Sequence, residues 1–195
     1  MMNKIPETHI NADPEKPFII VLCSDSHMDR DSLRYVREHH PEADLFVHCG
    51  DSELKEKDMD GFLFIRGNHD FYLGNSVPDW RIIEVLGHRI YVCHGHLDML
   101  IYFHYDLMAK HAREHGCDTV FFGHMHICQD FIEDGVRMLN PGSLAYSRDY
   151  SGKSYMLVTV TPEKIDAVRM DYTPVKTDTE KPKKKGFLEW LIEKL

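Results

Sequence analysis

Apolar residues come along this chain in short unbroken runs, each closed by a polar cluster. Phe18 to Cys23 is the first such run. A continuous apolar stretch of that length marks a strand buried on both faces. It ends in Ser24-Asp25-Ser26-His27. Asp29 to Ser32 then opens a helix that runs through Leu33 and Val36 to about His40, where Pro41 stops it. Leu45 to His48 reads as a second strand, closed by Cys49-Gly50-Asp51. A mostly charged segment, Glu53 to Asp60, leads to a third run, Phe62 to Ile65, which Arg66 and Gly67 cut off ahead of Asn68-His69-Asp70. Strand, helix, strand, connection and strand predict parallel neighbours whose polar ends share one rim.

The pattern then changes to paired strands. Arg81 to Leu86 and Arg89 to Cys93, joined through Gly87-His88, read as a hairpin, and the second run ends in His94-Gly95-His96. A helical segment spans about His104 to His115 and stops at Gly116. Val120 to Phe122 is a short buried strand, ended by Gly123-His124-Met125-His126. Ile127 to Glu133 and Val136 to Asn140 form a second hairpin around Asp134-Gly135, with Asn140-Pro141-Gly142-Ser143 as a tight turn. Ser154 to Thr161 and Lys164 to Asp171 are the last strand pair.

The ends differ in character. Residues 1–16 read as a flexible, loosely attached arm, and 17–172 as one domain. Residues 173–185 are rich in Pro, Thr and Lys and read as a linker. Phe187, Leu188, Leu191, Ile192 and Leu195 then fall at helical spacing. So short an amphipathic helix does not hold alone in water, so it is expected to dock on its own domain, a second copy or a partner.

Composition narrows the functional classes. The 195 residues are 43% hydrophobic and 28% charged, ordinary for a globular protein. A formal charge of −9 argues against long nucleic acid as a partner. Five cysteines with no Cys-x-x-Cys spacing read as reduced, mostly buried thiols. No apolar run reaches membrane-spanning length, and the N-terminus lacks the apolar core of a secretion signal, so the cytoplasm is the expected compartment.

The polar groups that follow strands are the candidate chemistry: Asp25, His27, Asp51, Asn68, His69, His94, His124 and His126. Carboxylate, imidazole and amide oxygen suit first-row divalent ions without any thiolate. So many groups exceed one tetrahedral site and fit two adjacent ions that share a ligand. The Asp-x-His and His-x-His spacings agree if those turns are extended, because alternate residues then point the same way.

Five blocks in order, Asp25-Ser26-His27, Gly50-Asp51, Gly67-Asn68-His69-Asp70, His94-Gly95-His96 and Gly123-His124-Met125-His126, resemble the calcineurin-like metallophosphoesterases. Within them, the resemblance is to the small bacterial and archaeal YfcE-type phosphodiesterases, and it covers about Phe18 to Met170. It implies an α/β fold, a four-layer α/β/β/α sandwich of two mixed sheets with a dinuclear metal centre at the rim. By matching positions, one ion is held by Asp25, His27, Asp51 and His126, and the other by Asp51, Asn68, His94 and His124, with Asp51 bridging. The implied cofactor is two divalent ions, Mn2+ first and Ni2+, Fe2+ or Zn2+ as alternatives. The implied reaction is hydrolysis of a small phosphodiester or phosphomonoester by a metal-bridging hydroxide, with His69 over the leaving-group oxygen.

Several roles stay open at this level. Asp70 or Glu53 orients His69, or Asp70 caps the next segment. His96 is an extra ligand, a phosphate contact, or a support behind the ligands, and Arg148 touches substrate or lies on the surface. His39, His40, His88, His104, His111 and His115 are expected to be solvated. A homo-oligomer is left open. The competing function is a non-catalytic interaction scaffold on the same fold, as in one retromer subunit related to this family, and only the tail helix favours it.

Overall fold

In the computed structural model, which describes residues 6–174, the first apolar run is a strand because both of its faces find a core. The strands and helices are β1 (Glu7–Ile10), β2 (Phe18–Cys23), α1 (Arg30–His39), β3 (Leu45–His48), β4 (Leu63–Phe64), β5 (Trp80–Val85), β6 (His88–Cys93), α2 (Tyr105–Glu114), β7 (Thr119–Phe121), β8 (Cys128–Glu133), β9 (Val136–Pro141), β10 (Ser154–Val160) and β11 (Ile165–Asp171). They form a five-stranded sheet, β11-β10-β2-β3-β4, and a six-stranded sheet, β1-β5-β6-β7-β9-β8.

Alternate residues of β2 show how the layers are built. Ile20 and Leu22 point into the core between the two sheets, with Val47, Ile83, Ile90, Val92 and Phe121. Val21 and Cys23 face the other way, against Leu33 and Val36 of α1. On the far side of the six-stranded sheet, Tyr91, Val120 and Met138 pack under Met108, Ala109 and Ala112 of α2. The order is helix, sheet, sheet, helix, the four-layer α/β sandwich of two mixed sheets that the sequence implies. Strands β2, β3 and β4 run parallel, as do β6, β7 and β9, so both sets of strand ends reach the same rim.

Three local readings need correction. The N-terminal arm is not loose throughout: Glu7–Ile10 pairs parallel with Ile82–Val85 as the edge of the larger sheet. Glu7, Thr8 and His9 give no apolar run there, and only Thr8 and Ile10 are partly buried, because an edge strand covers one face only. The first hairpin turns at Leu86-Gly87, both at positive φ (50° and 85°), one residue earlier than the sequence suggests. His40 is buried, with Nε2 2.8 Å from Tyr155 Oη, and His88 Nε2 donates to the Thr161 carbonyl at 2.9 Å, so neither is solvated. The linker and the tail helix, from residue 175 on, lie outside the described residues.

Candidate metal centre

The rim loops reach the site through left-handed backbone. Asp25, His27, Asp51, Glu53, His124 and His126 all have φ between 42° and 68°. The turns are therefore not extended, and it is tight curling rather than alternation that aims these side chains inward. Non-glycine residues held at positive φ cost energy and gather at functional sites. Two glycines allow the loops to close on one another. A Cβ on Gly67 would overlap Asp51 Oδ1, and one on Gly123 would overlap Ser24 Oγ.

Two groups of potential ligand atoms result, Asp25 with His27 and His126, and Asp25 with Asp51 and His94. His126 Nε2 lies 3.0 Å from Asp25 Oδ1, His27 Nε2 lies 3.2 Å from His126 Nε2, and His94 Nε2 lies 3.2 Å from Asp51 Oδ2. His27 Nε2 and His94 Nε2 are each 4.0 Å from Asp25 Oδ1. Asp25 is thus common to both groups, while Asp51 falls in one. His124 joins through its backbone N–H, which donates to Asp25 Oδ2 at 3.1 Å, and its ring meets His94 edge-on at 5.1 Å. Asn68 stands in the same loop as Gly67, with Oδ1 buried and without a partner.

Three of the four imidazoles are held from behind. His27 Nδ1 donates to Glu53 Oε1 at 2.6 Å, His94 Nδ1 to the Cys49 carbonyl at 2.7 Å, and His126 Nδ1 to the Tyr146 carbonyl at 3.2 Å. Those partners can only accept, so the Nδ1 atoms carry the protons and the Nε2 atoms present lone pairs. The nitrogens of His94 and His126 then face buried carboxylate oxygens at 3.2 and 3.0 Å, and that of His27 faces His126 Nε2, an arrangement that a cation or an added proton relieves. Asp25 Oδ1 and His94 Nε2 are buried with no hydrogen-bond partner among the described residues. Burial alone would lower the His94 pKa, but Asp51 and Asp25 raise it to about 9. For His124, burial and then His94 outweigh the pull of Asp25 and Asp51 and push it down to about 4. Burial works against ionisation of Asp25 and Asp51, yet His126 and His94 hold both carboxyls below the usual range. The donor set of carboxylate, imidazole and amide oxygen fits divalent ions.

The carboxylates proposed for His69 serve other groups. Asp70 accepts from the backbone N–H of Asp51 (2.7 Å), Glu53 (2.7 Å) and Gly67 (2.8 Å), and from Ser52 Oγ (2.9 Å). It ties two loops together and neither caps a helix nor orients His69. Glu53 holds His27. His69 itself is exposed at the mouth, its ring 5.9 Å from that of His27, while its N–H donates to Asp51 Oδ1 at 2.8 Å. Arg148 is exposed, and its Nη1 donates to the His124 carbonyl at 3.1 Å. His96 is half-buried beside His94, and its Nδ1 has no partner.

Two contributors escape the sequence reading. His48 is fully buried behind the rim and reaches Ser26 Oγ at 3.1 Å through Nε2; its place as the last residue of an apolar run was the available signal. Tyr146 stacks on His27 (5.7 Å) and leans on His126 (4.4 Å), and nothing in its local sequence marks it. The Asn140-Pro141-Gly142-Ser143 turn braces the rim: Asn140 Nδ2 donates to the Gly123 carbonyl and Ser143 Oγ to the Asp25 carbonyl, both at 2.8 Å.

The model of the calcineurin-like phosphoesterase superfamily domain matches residues 18–163. The probable metallophosphoesterase YsnB of Bacillus subtilis (strain 168) is 32% identical over 144 residues, covering 72% of this chain and 83% of YsnB. A crystal structure of a conserved uncharacterized protein, a predicted phosphoesterase, from Streptococcus pneumoniae TIGR4 matches with a TM-score of 0.73 and 27% identity, over 82% of this chain and 94% of that one. Vps29 from Cryptosporidium parvum matches with a TM-score of 0.62 and 16% identity, over 81% of this chain and 99% of its own. At that identity the likeness to Vps29 is one of fold.

Proposed function

The chain belongs to the calcineurin-like phosphoesterase superfamily, and from that premise we propose that it is a dinuclear metal-dependent phosphodiesterase. The observation that carries the proposal is the set of imidazole lone pairs aimed at buried carboxylate oxygens, with Asp25 Oδ1, His94 Nε2 and Asn68 Oδ1 left unpartnered. Asp25, His27, Asp51 and His126 would hold one ion, and Asp51, Asn68, His94 and His124 the other. Mn2+ is the first choice, with Ni2+, Fe2+ or Zn2+ as alternatives. When bound, the ions supply positive charge to a phosphoester and lower the pKa of coordinated water.

The chain's own residues do the rest. Glu53, Cys49 and Tyr146 fix the imidazole tautomers, so the ligands are set before any ion arrives. His69 stands free of the ligand cluster at the mouth, where its side chain can give a proton to a departing oxygen. Its backbone N–H holds Asp51 Oδ1, which couples the acid to the metal-binding carboxylate. Among the described residues no helix is long and apolar enough to cross a membrane, and all five thiols are free. We assign a cytoplasmic setting from the reduced thiols.

The test is direct. Protein stripped of metal and reloaded with Mn2+ should bind about two ions per chain and hydrolyse bis(4-nitrophenyl) phosphate. No cleavage of any phosphoester with Mn2+, Ni2+, Fe2+ or Zn2+ would leave the interaction scaffold, which shares this fold in Vps29, as the better reading.

A further inference from the structure

Beside the metal centre lies a cavity of about 270 Å³ between the larger sheet and α2. Its wall includes His94, so it opens against one of the proposed ligands. Three rings make its floor: Trp80 stacks on Tyr91 at 5.5 Å, and His115 lies 4.8 Å from Trp80. The polar side chains on its wall include His96, His111, Asp79 and Asp98. His96 Nδ1 is buried and has no partner among the described residues. Asp98 is buried and takes a hydrogen bond from His111 Nδ1 at 2.6 Å, while one Asp79 oxygen is held by Arg66 at 2.8 Å. Neither lysine nor arginine lines the space.

We propose that this cavity receives the nucleobase of a nucleoside phosphodiester whose phosphate sits at the metal centre. The inference rests on the phosphodiesterase reading and names its substrate class. An aromatic floor offers stacking to any flat ring. The wall carries two carboxylates and neither lysine nor arginine, so a second phosphate finds no fixed guanidinium or ammonium there, and polyphosphates and phosphoprotein segments fit poorly. A ring with hydrogen-bonding edges fits better than a plain aryl group, because its edge can meet the carboxylate oxygens of Asp79 and Asp98 on the wall. The volume sits at the small end for ligand sites and suits one base, not a dinucleotide stack.

The chain has two tryptophans, Trp80 and Trp190, so Trp190→Phe leaves Trp80 as the single indole reporter. In that background, adenosine 5′-monophosphate should quench Trp80 fluorescence and inorganic phosphate should not. His96→Ala should raise the half-quenching concentration roughly tenfold. Equal responses to the two probes, no response, or an unshifted midpoint in His96→Ala would overturn the proposal. With the Mn2+-loaded protein, kcat/KM for thymidine 5′-(4-nitrophenyl) phosphate should exceed that for methyl 4-nitrophenyl phosphate by about tenfold or more. A ratio near one overturns the base pocket even if both are cleaved. If neither is cleaved while adenosine 5′-monophosphate still quenches selectively, the hydrolase reading falls and the base pocket stands.

Discussion

Glu53 Oε1 accepts a 2.6 Å hydrogen bond from His27 Nδ1, so this carboxylate serves a proposed metal ligand. Glu53 fixes which nitrogen of His27 carries the proton, and its negative charge makes Nε2 a stronger donor to a cation. Glu53→Gln keeps the shape and removes the charge. It should weaken Mn2+ binding about 10–100-fold, as seen when such supporting partners are lost. Activity should return at high Mn2+ concentration. Chelator-competition titrations read the affinity; an unchanged affinity with a lower kcat would instead place Glu53 on the chemical step.

Asp70 takes the opposite kind of role. Its carboxylate gathers four donors from residues 51–53 and 67 and is nearly excluded from water. Asp70→Ala leaves those donors buried and unpaired, each lost partner costing about 1–3 kcal/mol but not additively. A loss on the order of 3 kcal/mol should lower Tm by about 6–12 °C in a chain of this size. Calorimetry of metal-free wild type and variant checks this. A variant that melts like wild type yet turns over slowly would revive Asp70 as the group that orients His69.

His69 is the residue whose loss should spare the metals. Its imidazole is exposed and lies in neither group of clustered ligand atoms. His69→Ala should keep about two ions per chain while kcat falls roughly 10²–10⁴-fold, the usual worth of a positioned acid. The loss should be smaller for esters whose leaving group needs no proton, such as 4-nitrophenol, than for alkyl esters. Parallel losses for both leaving groups would deny His69 the proton-donor role.

How far the sequence could be read depends on what each signal measures. Runs such as Phe18 to Cys23 and Val120 to Phe122 reported double burial, and both strands lie near where the runs predict. The strand Glu7–Ile10 escapes the sequence reading because Glu7, Thr8 and His9 are all polar, and a half-covered edge strand needs no apolar run. The strand-end positions of the candidate ligands Asp25, Asp51, His94 and His126 are legible in the sequence. Their orientation is not, because left-handed φ at Asp25 or His126 follows from loops packing on each other. The same limit hid His48 and Tyr146, whose partners are set by tertiary contacts, and the cavity under Trp80, which needs β5, β6 and α2 in register.

The last question is which carboxylate the two ions share. The family pattern gives that role to Asp51, whereas Asp25 is the residue common to both clusters of ligand atoms. If Asp51 bridges, Asp51→Asn should lose both ions, since the neutral amide leaves each site without its common charge. His124→Ala should lose one ion, because it belongs to one proposed set only. Metal counting by mass spectrometry separates the outcomes, and melting adds an independent reading. Saturating Mn2+ at about 100 times its Kd should stabilise the wild type by about 2.7 kcal/mol for each bound ion, about 5.4 kcal/mol for two. That corresponds to a Tm rise of about 11–22 °C. The rise should vanish in Asp51→Asn and be roughly halved in His124→Ala. Retention of one tightly bound ion in Asp51→Asn, with both lost in Asp25→Asn, would transfer the bridge to Asp25.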